Sequence, residues 1–554
     1  MTTELFARVE AWIADDPDEN TREQASEVLA AAQEGDAASV AQLQQWFGPF
    51  LQFGTAGLRG PLGPGPSCMN RAVVSRAAAG LCAYLVKRDA KRIVVGYDAR
   101  HGSIDFALDT VAIAAGLGLH AILLPRTLPT PVLAYAIRHL GADAGVMVTA
   151  SHNPAQDNGY KVYLGDGSQI VPPADSDIAA EIAAVTSVAS LTLSDEWETA
   201  DESVVTAYIN AAVAVVDAHA PRTLTVASTS LHGVGDEVWR AVMSASGYAA
   251  PHVVVEQADP DPDFPTVVFP NPEEAGATDL LLELATRVNA DIAIAHDPDA
   301  DRCAMAAPDR DGKWRLLRGD EVGALLGWWT VERTKQFGLP APTGSFANSI
   351  VSSTLLGKMA AHHNIPFQFT LTGFKWIAKI SDLLFGFEEA LGYCVDPASV
   401  RDKDGISAGL RLVEMASHLK SQGRTINDVL ADLAQQFGLH RTDQLSVRMN
   451  DLAAIPAAVA RLRSTPPTTV AGMNVKEVID LKNGWSGLPP TDGIMLQLEG
   501  GRVIARPSGT EPKLKCYLEC IITETQDIAS AEQVANDIIA KMKSDMAIAL
   551  GVAG

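Results

Sequence analysis

Thr149-Ala150-Ser151-His152-Asn153-Pro154 lies directly behind the apolar run 144–148 and ahead of Asn158-Gly159-Tyr160-Lys161-Val162-Tyr163. The run Gly145-Val146-Met147-Val148 has no polar alternation, so it reads as a strand covered on both faces. Asn153-Pro154 then opens a turn. Ser151 therefore stands at the carboxyl end of a buried strand, where open α/β sheets place their ligand sites. A Ser-His pair in a turn ordinarily does no more than satisfy backbone groups, so the weight of this stretch depends on what accompanies it.

The chain has 554 residues, of which 47% are hydrophobic, too many for one core and enough for three or four domains. Its 43 basic and 67 acidic residues give a formal charge of −24. That balance speaks against a protein that wraps nucleic acid or lies on an anionic membrane, and for a soluble cytoplasmic one. A small phosphorylated substrate remains compatible, through local positive loops. Cys68, Cys82, Cys303, Cys394, Cys516 and Cys520 form no C-x-x-C pair and read as reduced, mostly buried thiols. Met1-Thr2-Thr3-Glu4 opens no signal peptide, and no apolar stretch is long enough to span a bilayer.

Residues 1–50 read as an Ala-rich helical extension, with one helix starting near Thr21 and stopping at Gly35. Strand candidates at 92–97, 121–124, 145–148, 223–228, 252–255, 291–295 and 367–371 alternate with helical stretches. This alternation predicts βαβ units with parallel or mixed sheets. Pro-rich breaks fall at 259–274, 339–344 and 464–472; the first reads as a long functional or connecting loop, the others as domain boundaries. Gly116-Leu117-Gly118-Leu119-His120-Ala121 matches the dinucleotide fingerprint G-x-G-x-x-A, but a helix precedes it and a strand follows it. The fingerprint needs the reverse order, so this is a helix end.

The second informative stretch is Asp297-Pro298-Asp299-Ala300-Asp301-Arg302, fed by Ile292-Ala293-Ile294-Ala295-His296. Three carboxylates at alternate positions point the same way in extended backbone, and they repel unless a cation sits among them. Oxygen-only ligands select a hard ion, Mg²⁺ or Mn²⁺. An EF-hand would need Gly and Glu where Arg302 and Pro308 stand, and an aspartyl-phosphate loop would not carry Asp301 at its third place. A solvated acidic turn is the plain alternative. Arg506-Pro507-Ser508-Gly509-Thr510-Glu511-Pro512-Lys513 offers a guanidinium fork, two hydroxyls and a Gly that permits close approach of an anion. By itself it suits a phosphate cradle and an ordinary turn equally. Gly386-Phe387-Glu388-Glu389-Ala390-Leu391-Gly392 presents carboxylates able to accept hydrogen bonds from vicinal hydroxyls.

These four loops, in this order over residues 50–520, resemble the α-D-phosphohexomutase superfamily. Its pattern is a phosphoserine loop T-A-S-H-N-P, a metal loop D-x-D-x-D-R, a sugar loop and a terminal R-x-S-G-T phosphate loop. Gly54-Thr55-Ala56-Gly57-Leu58-Arg59-Gly60 is similar to the family's opening segment. Leu371-Thr372-Gly373-Phe374-Lys375-Trp376, Phe387-Glu388-Glu389-Ala390 and Asp402-Lys403-Asp404-Gly405 resemble the long phosphoglucomutase-2 and phosphopentomutase-like branch. The chain departs from many hexose mutases at Ala390, where they carry Ser.

The resemblance implies an α/β fold of four domains around a central cleft, three related α/β/α domains with mixed sheets and a C-terminal α+β domain. The expected bounds are 1–50 for the extension, 51–210 with the phosphoserine loop, 211–325 with the metal loop, 326–445 with the sugar loop and 446–554 with the phosphate loop. It implies an intramolecular phosphotransferase that moves a phosphoryl group between the 1-position and the 6- (or 5-) position of a sugar monophosphate. A phosphoglucomutase or phosphomannomutase fits first, with phosphopentomutase, sugar bisphosphate synthase and a non-catalytic phosphosugar-binding protein as alternatives. Ser151, His152, Lys403, Arg302 and Arg59 are the expected catalytic groups. Thr55, Thr372, Gly373, Glu388, Arg506, Ser508, Gly509, Thr510 and Lys515 are the expected substrate contacts. Ser151, Asp297, Asp299 and Asp301 would hold Mg²⁺, and a sugar bisphosphate would serve as activator. The partners expected are sugar phosphates only, bound by a monomer or homodimer.

Overall fold

A computed structural model of the chain describes residues 2–448, 454–507 and 513–552. The N-terminal extension forms three helices, Thr2–Asp15, Glu19–Gln33 and Ala37–Trp46, packed through Leu5, Val9, Ala25, Leu29, Leu43 and Phe47. The middle helix starts before the expected Thr21, because the Asp18 side chain accepts from the Asn20 amide and caps it there. It closes just before Gly35, whose φ of +100° no side-chain-bearing residue adopts easily.

Two compact units follow from the chain's own contacts. The first comprises Met1–Pro308, Gly312–Leu316 and Gly392–His418; the second comprises Asp309–Asp311, Leu317–Leu391 and Leu419–Gly554. In the first unit a six-stranded mixed sheet runs in the order Leu58–Pro61, Asp157–Leu164, Ala144–Val148, Arg92–Tyr97, His120–Leu123, Glu198–Thr199. Arg92–Tyr97 pairs in parallel with Ala144–Val148 and His120–Leu123, whereas Asp157–Leu164 runs antiparallel. Ile93, Val94, Val95, Val146, Met147 and Val148 are wholly buried, as the unbroken apolar runs predict for strands sandwiched between helices. Helix Ser103–Gly116 ends at the Gly-x-Gly stretch and leads into strand His120–Leu123, so that motif is indeed a helix end.

The same unit holds a five-stranded sheet in the order Trp314–Leu316, Cys303–Pro308, Ile292–His296, Val226–Thr229, His252–Val253. The strand expected at 223–228 begins later, since the Thr225 amide donates to the Asp291 carboxylate (2.7 Å) instead of joining the ladder. The strand expected at 252–255 stops at Val253 because a 3₁₀ turn, Val255–Gln257, takes over.

In the second unit Ser345–Ser349 pairs in parallel with Phe367–Thr370 and with Leu383–Glu388. Beyond it a six-stranded antiparallel sheet runs Leu439–Arg448, Lys513–Ile522, Gly501–Pro507, Ile494–Leu498, Met473–Asp480, Thr469–Val470. Helices Ala454–Ser464 and Ile528–Leu550 bury its apolar face. Each of the three α/β segments sends one strand into a turn containing a left-handed residue. Ser151 (φ 53°) follows Ala144–Val148, Ala300 (53°) follows Ile292–His296 and Leu391 (63°) follows Leu383–Glu388. The three strands thus end in turns that share a left-handed residue. All six cysteines are free and buried, and no described helix is long and apolar enough to cross a membrane.

Candidate active site

Strand Ala144–Val148 delivers Ser151 at its carboxyl end. The Ser151 amide donates to Thr149 Oγ1 (2.9 Å), and the Asn153 amide donates to the Ala150 carbonyl (3.1 Å), closing a tight turn. Ser151 Oγ donates to Asp297 Oδ2 at 2.8 Å and lies 3.0 Å from His152 Nδ1. Burial, with Arg302 and Arg59 nearby, holds the His152 imidazole well below its ordinary pKa. Arg59 reaches the same turn through a 3.2 Å hydrogen bond from Nη1 to Asn153 Oδ1.

Asp297, Asp299 and Asp301 are buried, and one carboxylate oxygen from each lies within 4.8 Å of the others. They do not converge through the extended backbone that their alternate spacing suggested. The Ala300 amide donates to the Asp297 carbonyl (2.8 Å), Ala300 is left-handed, and the turn folds the carboxylates together. Its back rests on Gly405, whose amide donates to the Ala300 carbonyl (3.2 Å) and where a Cβ would stand 2.3 Å from the Arg302 carbonyl oxygen.

The electrostatics separate the three acids. Burial, then repulsion from Asp299 and Asp301, pushes the Asp297 carboxyl well above the usual range. At Asp301 burial opposes ionisation, but Lys161, Lys403 and Arg302 overcome it and hold the carboxyl below that range. At Asp299 burial and Asp301 are outweighed by Lys161 and by the Thr130 hydroxyl. Lys161 Nζ donates to Asp299 Oδ2 (2.6 Å) and Asp301 Oδ2 (2.8 Å), and Thr130 Oγ1 donates to Asp299 Oδ2 (2.6 Å). Lys403 Nζ lies 3.2 Å from Asp301 Oδ2, and Arg302 Nε lies 3.9 Å from both Asp297 and Asp301. Among the described residues, Asp299 Oδ1 and Asp301 Oδ1 are buried with no hydrogen-bond partner. Orphaned buried carboxylate oxygens in an all-oxygen cluster fit a hard divalent cation.

The second unit holds most of the other expected groups. Glu388 is buried at the end of strand Leu383–Glu388. Its neighbour Glu389 accepts from the hydroxyls of Ser349 (3.1 Å) and Ser352 (2.8 Å), so that carboxylate anchors the loop. Gly373 (φ 106°) precedes the short helix Phe374–Ala378 and follows Thr372. Arg506 and Lys515 face each other in register across Gly501–Pro507 and Lys513–Ile522. Ser508, Gly509 and Thr510 lie outside the described residues. In the first unit, Thr55 sits in the turn closed by the Gly54–Gly57 bridge.

Reading the sequence missed Lys161, Thr130 and Arg100. A signal for Lys161 existed: it is a cation inside Asn158-Gly159-Tyr160-Lys161-Val162-Tyr163, and its strand proves buried on both faces. Buried lysines are almost always paired. Asp98-Ala99-Arg100, opposite charges directly behind a buried strand, was a weaker signal of the same kind.

Known proteins resemble this chain along most of its length. Residues 51–189, 206–312 and 318–437 match the phosphoglucomutase/phosphomannomutase alpha/beta/alpha domains I, II and III, and residues 445–541 match the family's C-terminal domain. The chain is 48% identical to a "Probable phosphomannomutase" of Haemophilus influenzae over 459 residues, covering 81% of this chain and 93% of the relative. It is 33% identical to the phosphopentomutase of Mus musculus, covering 94% of this chain and 90% of the relative. Its fold superposes on that of a phosphoglucomutase from Paramecium, the phosphoprotein parafusin, with a TM-score of 0.70 at 18% identity, covering 92% and 96% of the two chains.

Proposed function

The chain belongs to the phosphoglucomutase/phosphomannomutase family, and from that premise we propose that it interconverts sugar 1-phosphates and 6- (or 5-) phosphates using Ser151 as a covalent phosphoryl carrier. The observation that carries this reading is the position of Ser151 Oγ. It stands 2.8 Å from one carboxylate of the buried Asp297–Asp299–Asp301 group, on a turn held in a left-handed conformation.

Asp297, Asp299, Asp301 and the Ser151 oxygen would hold Mg²⁺, which when bound supplies Lewis-acid neutralisation at a phosphoryl oxygen. The chain's own residues do the rest. In the first half-reaction the bond between phosphorus and Ser151 Oγ breaks as a bond to the free sugar hydroxyl forms, and in the second the bond from the other phosphorus to its sugar oxygen breaks as that to Ser151 Oγ re-forms, the proton returning to the sugar oxygen. The hydroxyl proton passes to a neighbouring base, for which His152 and Lys403 are the candidates, and ends on Ser151 Oγ. The resulting sugar bisphosphate turns round and returns its other phosphate to the serine, and free bisphosphate would serve as activator. In-line positioning and charge stabilisation are the main demands of such a transfer. Arg302 and Arg59 supply positive charge at the serine. Arg506, Ser508, Gly509, Thr510 and Lys515 would anchor the non-reacting phosphate, with Glu388, Thr372, Gly373 and Thr55 contacting the substrate. The working boundaries remain 51–210, 211–325, 326–445 and 446–554, after an extension over 1–50.

A hexose phosphate is the preferred substrate, in keeping with the 48% identical relative. A pentose phosphate is the second reading, because Ala390 removes a hydroxyl from the sugar loop and the mouse phosphopentomutase matches nearly the full length. Intact mass tests the carrier directly: a phosphate-sized increment should vanish in Ser151→Ala, and phosphate retained in that variant overturns the assignment. Coupled assays on glucose, mannose and ribose 1-phosphates, each with its bisphosphate, decide the sugar.

A further inference from the structure

The Pro-rich stretch 259–274 and Arg100 play no part in the roles assigned so far. Arg100 follows strand Arg92–Tyr97 and is buried. Its guanidinium donates to four backbone carbonyls of the serine turn. Nη2 reaches the carbonyls of Ser151 (2.7 Å) and Asn153 (2.6 Å), and Nη1 those of Pro154 (2.8 Å) and Asp157 (3.0 Å). Asp98 steadies the fork from the side: its Oδ2 lies 3.4 Å from Arg100 Nε, and its Oδ1 accepts from the Arg100 amide (3.0 Å) and from Ser103 Oγ (2.6 Å). With its terminal nitrogens committed to carbonyls and its side chain out of solvent, this arginine is no phosphate ligand. It shapes the loop that presents Ser151.

The face of that guanidinium is covered by Phe264, whose ring centroid lies 4.8 Å from the Arg100 guanidinium carbon. Phe264 is itself buried and left-handed, with φ 47°, an uncommon conformation for a bulky residue that persists only where its surroundings hold it. They do hold it here. Pro260, Pro262 and Pro265 stiffen the segment. The Asp261 amide donates to the His232 carbonyl (3.0 Å), and Thr266 Oγ1 is bonded to His232 Nε2 (2.8 Å) and Gln257 Nε2 (2.9 Å). Gln257 in turn accepts from Thr229 Oγ1 (2.6 Å), at the end of strand Val226–Thr229 in the sheet that also carries the acidic loop. One rigid segment thus runs from the metal-loop sheet to the underside of the serine turn.

We propose that Phe264 is a positioning residue for phosphoryl transfer: by stacking on Arg100 it keeps the fork seated on the four carbonyls, and so keeps Ser151 left-handed with Oγ on Asp297. The inference rests on Ser151 being the phosphoryl carrier. Without the ring, the guanidinium face opens to water, the fork gains rotamer freedom, and the serine can relax into an ordinary backbone region. Misplacing a reacting atom by about 1 Å costs roughly 100-fold in rate.

The test uses full-length phosphorylated enzyme and single-turnover transfer from the phosphoserine to glucose 1-phosphate, with ³¹P NMR of the phosphoserine as a second readout. Phe264→Leu should fill the site without a π face, slow transfer about 10- to 100-fold, leave KM nearly unchanged and shift the ³¹P resonance. Phe264→Tyr should restore both readouts. Phe264→Leu transferring at the wild-type rate with an unshifted resonance overturns the inference. So does loss in KM alone, or a Phe264→Tyr variant as slow as Phe264→Leu. Wild-type protein that takes up no phosphate on Ser151 even after incubation with glucose 1,6-bisphosphate overturns the carrier assignment itself, and this inference with it.

Discussion

Replacing Lys161 by Met tests what keeps three buried aspartates together. Lys161 Nζ sits 2.6 Å from Asp299 Oδ2 and 2.8 Å from Asp301 Oδ2, on a buried side chain. At an effective dielectric constant of about 20, each contact is worth about 6 kcal/mol of Coulomb attraction before desolvation is subtracted. Removing one partner of a buried ion pair costs about 3–5 kcal/mol net, because the remaining charge is stranded. Met matches the length and apolar stem of Lys, so packing changes little. Proton uptake by the stranded carboxylates limits the loss but does not erase it. At about 2–4 °C per kcal/mol for a domain of this size, the unfolding midpoint of Lys161→Met in EDTA should fall by roughly 10 °C. A divalent cation can take over the missing positive charge and bind a cluster no longer competing with an ammonium group. Millimolar MgCl₂ should therefore raise the midpoint of the variant by more than that of the wild type. The assay is thermal unfolding with EDTA or MgCl₂. Equal midpoints in EDTA, or equal increments from MgCl₂ in both proteins, would refute the reasoning.

Two further substitutions probe positions away from the carboxylate cluster. Burial pushes the Asp320 carboxyl up to about 7, the Ser353 amide offsetting part of this and Glu389 adding to it. Its folded pKa then exceeds the unfolded value of 3.8, so the native state binds a proton that the unfolded chain releases. The group subtracts stability progressively as pH rises from about 4 to about 7, by up to about 4 kcal/mol. Asp320→Asn, which can still accept from the Ser353 amide (2.6 Å), should gain in unfolding midpoint over wild type between pH 5 and pH 8; a difference that stays flat across that range would contradict this account. Gly57 has φ +75°, and a Cβ there would lie 1.8 Å from the Tyr160 carbonyl oxygen. Gly57→Ala should cost about 3 kcal/mol or more, through left-handed strain and a backbone clash, and should displace Arg59 from the serine turn; unfolding and activity measurements check both effects.

Much of the chemistry was legible locally. Thr149–Pro154 and Asp297–Arg302 carry the proposed phosphoryl-carrying serine and the carboxylates within six residues each, at the ends of apolar runs that read as buried strands and are so in the structure. The helix ending at Gly116 was likewise read correctly from its order of elements. The limits fell where geometry departs from simple periodicity. The acidic loop is a turn around left-handed Ala300, so its carboxylates meet by folding back rather than by alternation. Glu389, adjacent to Glu388 and chemically identical, serves as an anchor because Ser349 and Ser352 happen to face it.

The sequence by itself determined the reaction class and the α/β architecture, and it pointed to the serine and the three aspartates that the structure brings together. Those properties depend on residue types at short spacing and on hydrophobic pattern, which are local. Tertiary structure alone decided which cations neutralise the aspartates and what holds the serine turn. Lys161 meets Asp299 across 138 residues of chain, and Arg100 meets Ser151 across 51. Contacts of that kind are set by the packing of sheets and segments, and a buried charge shows its purpose only when its partner is beside it.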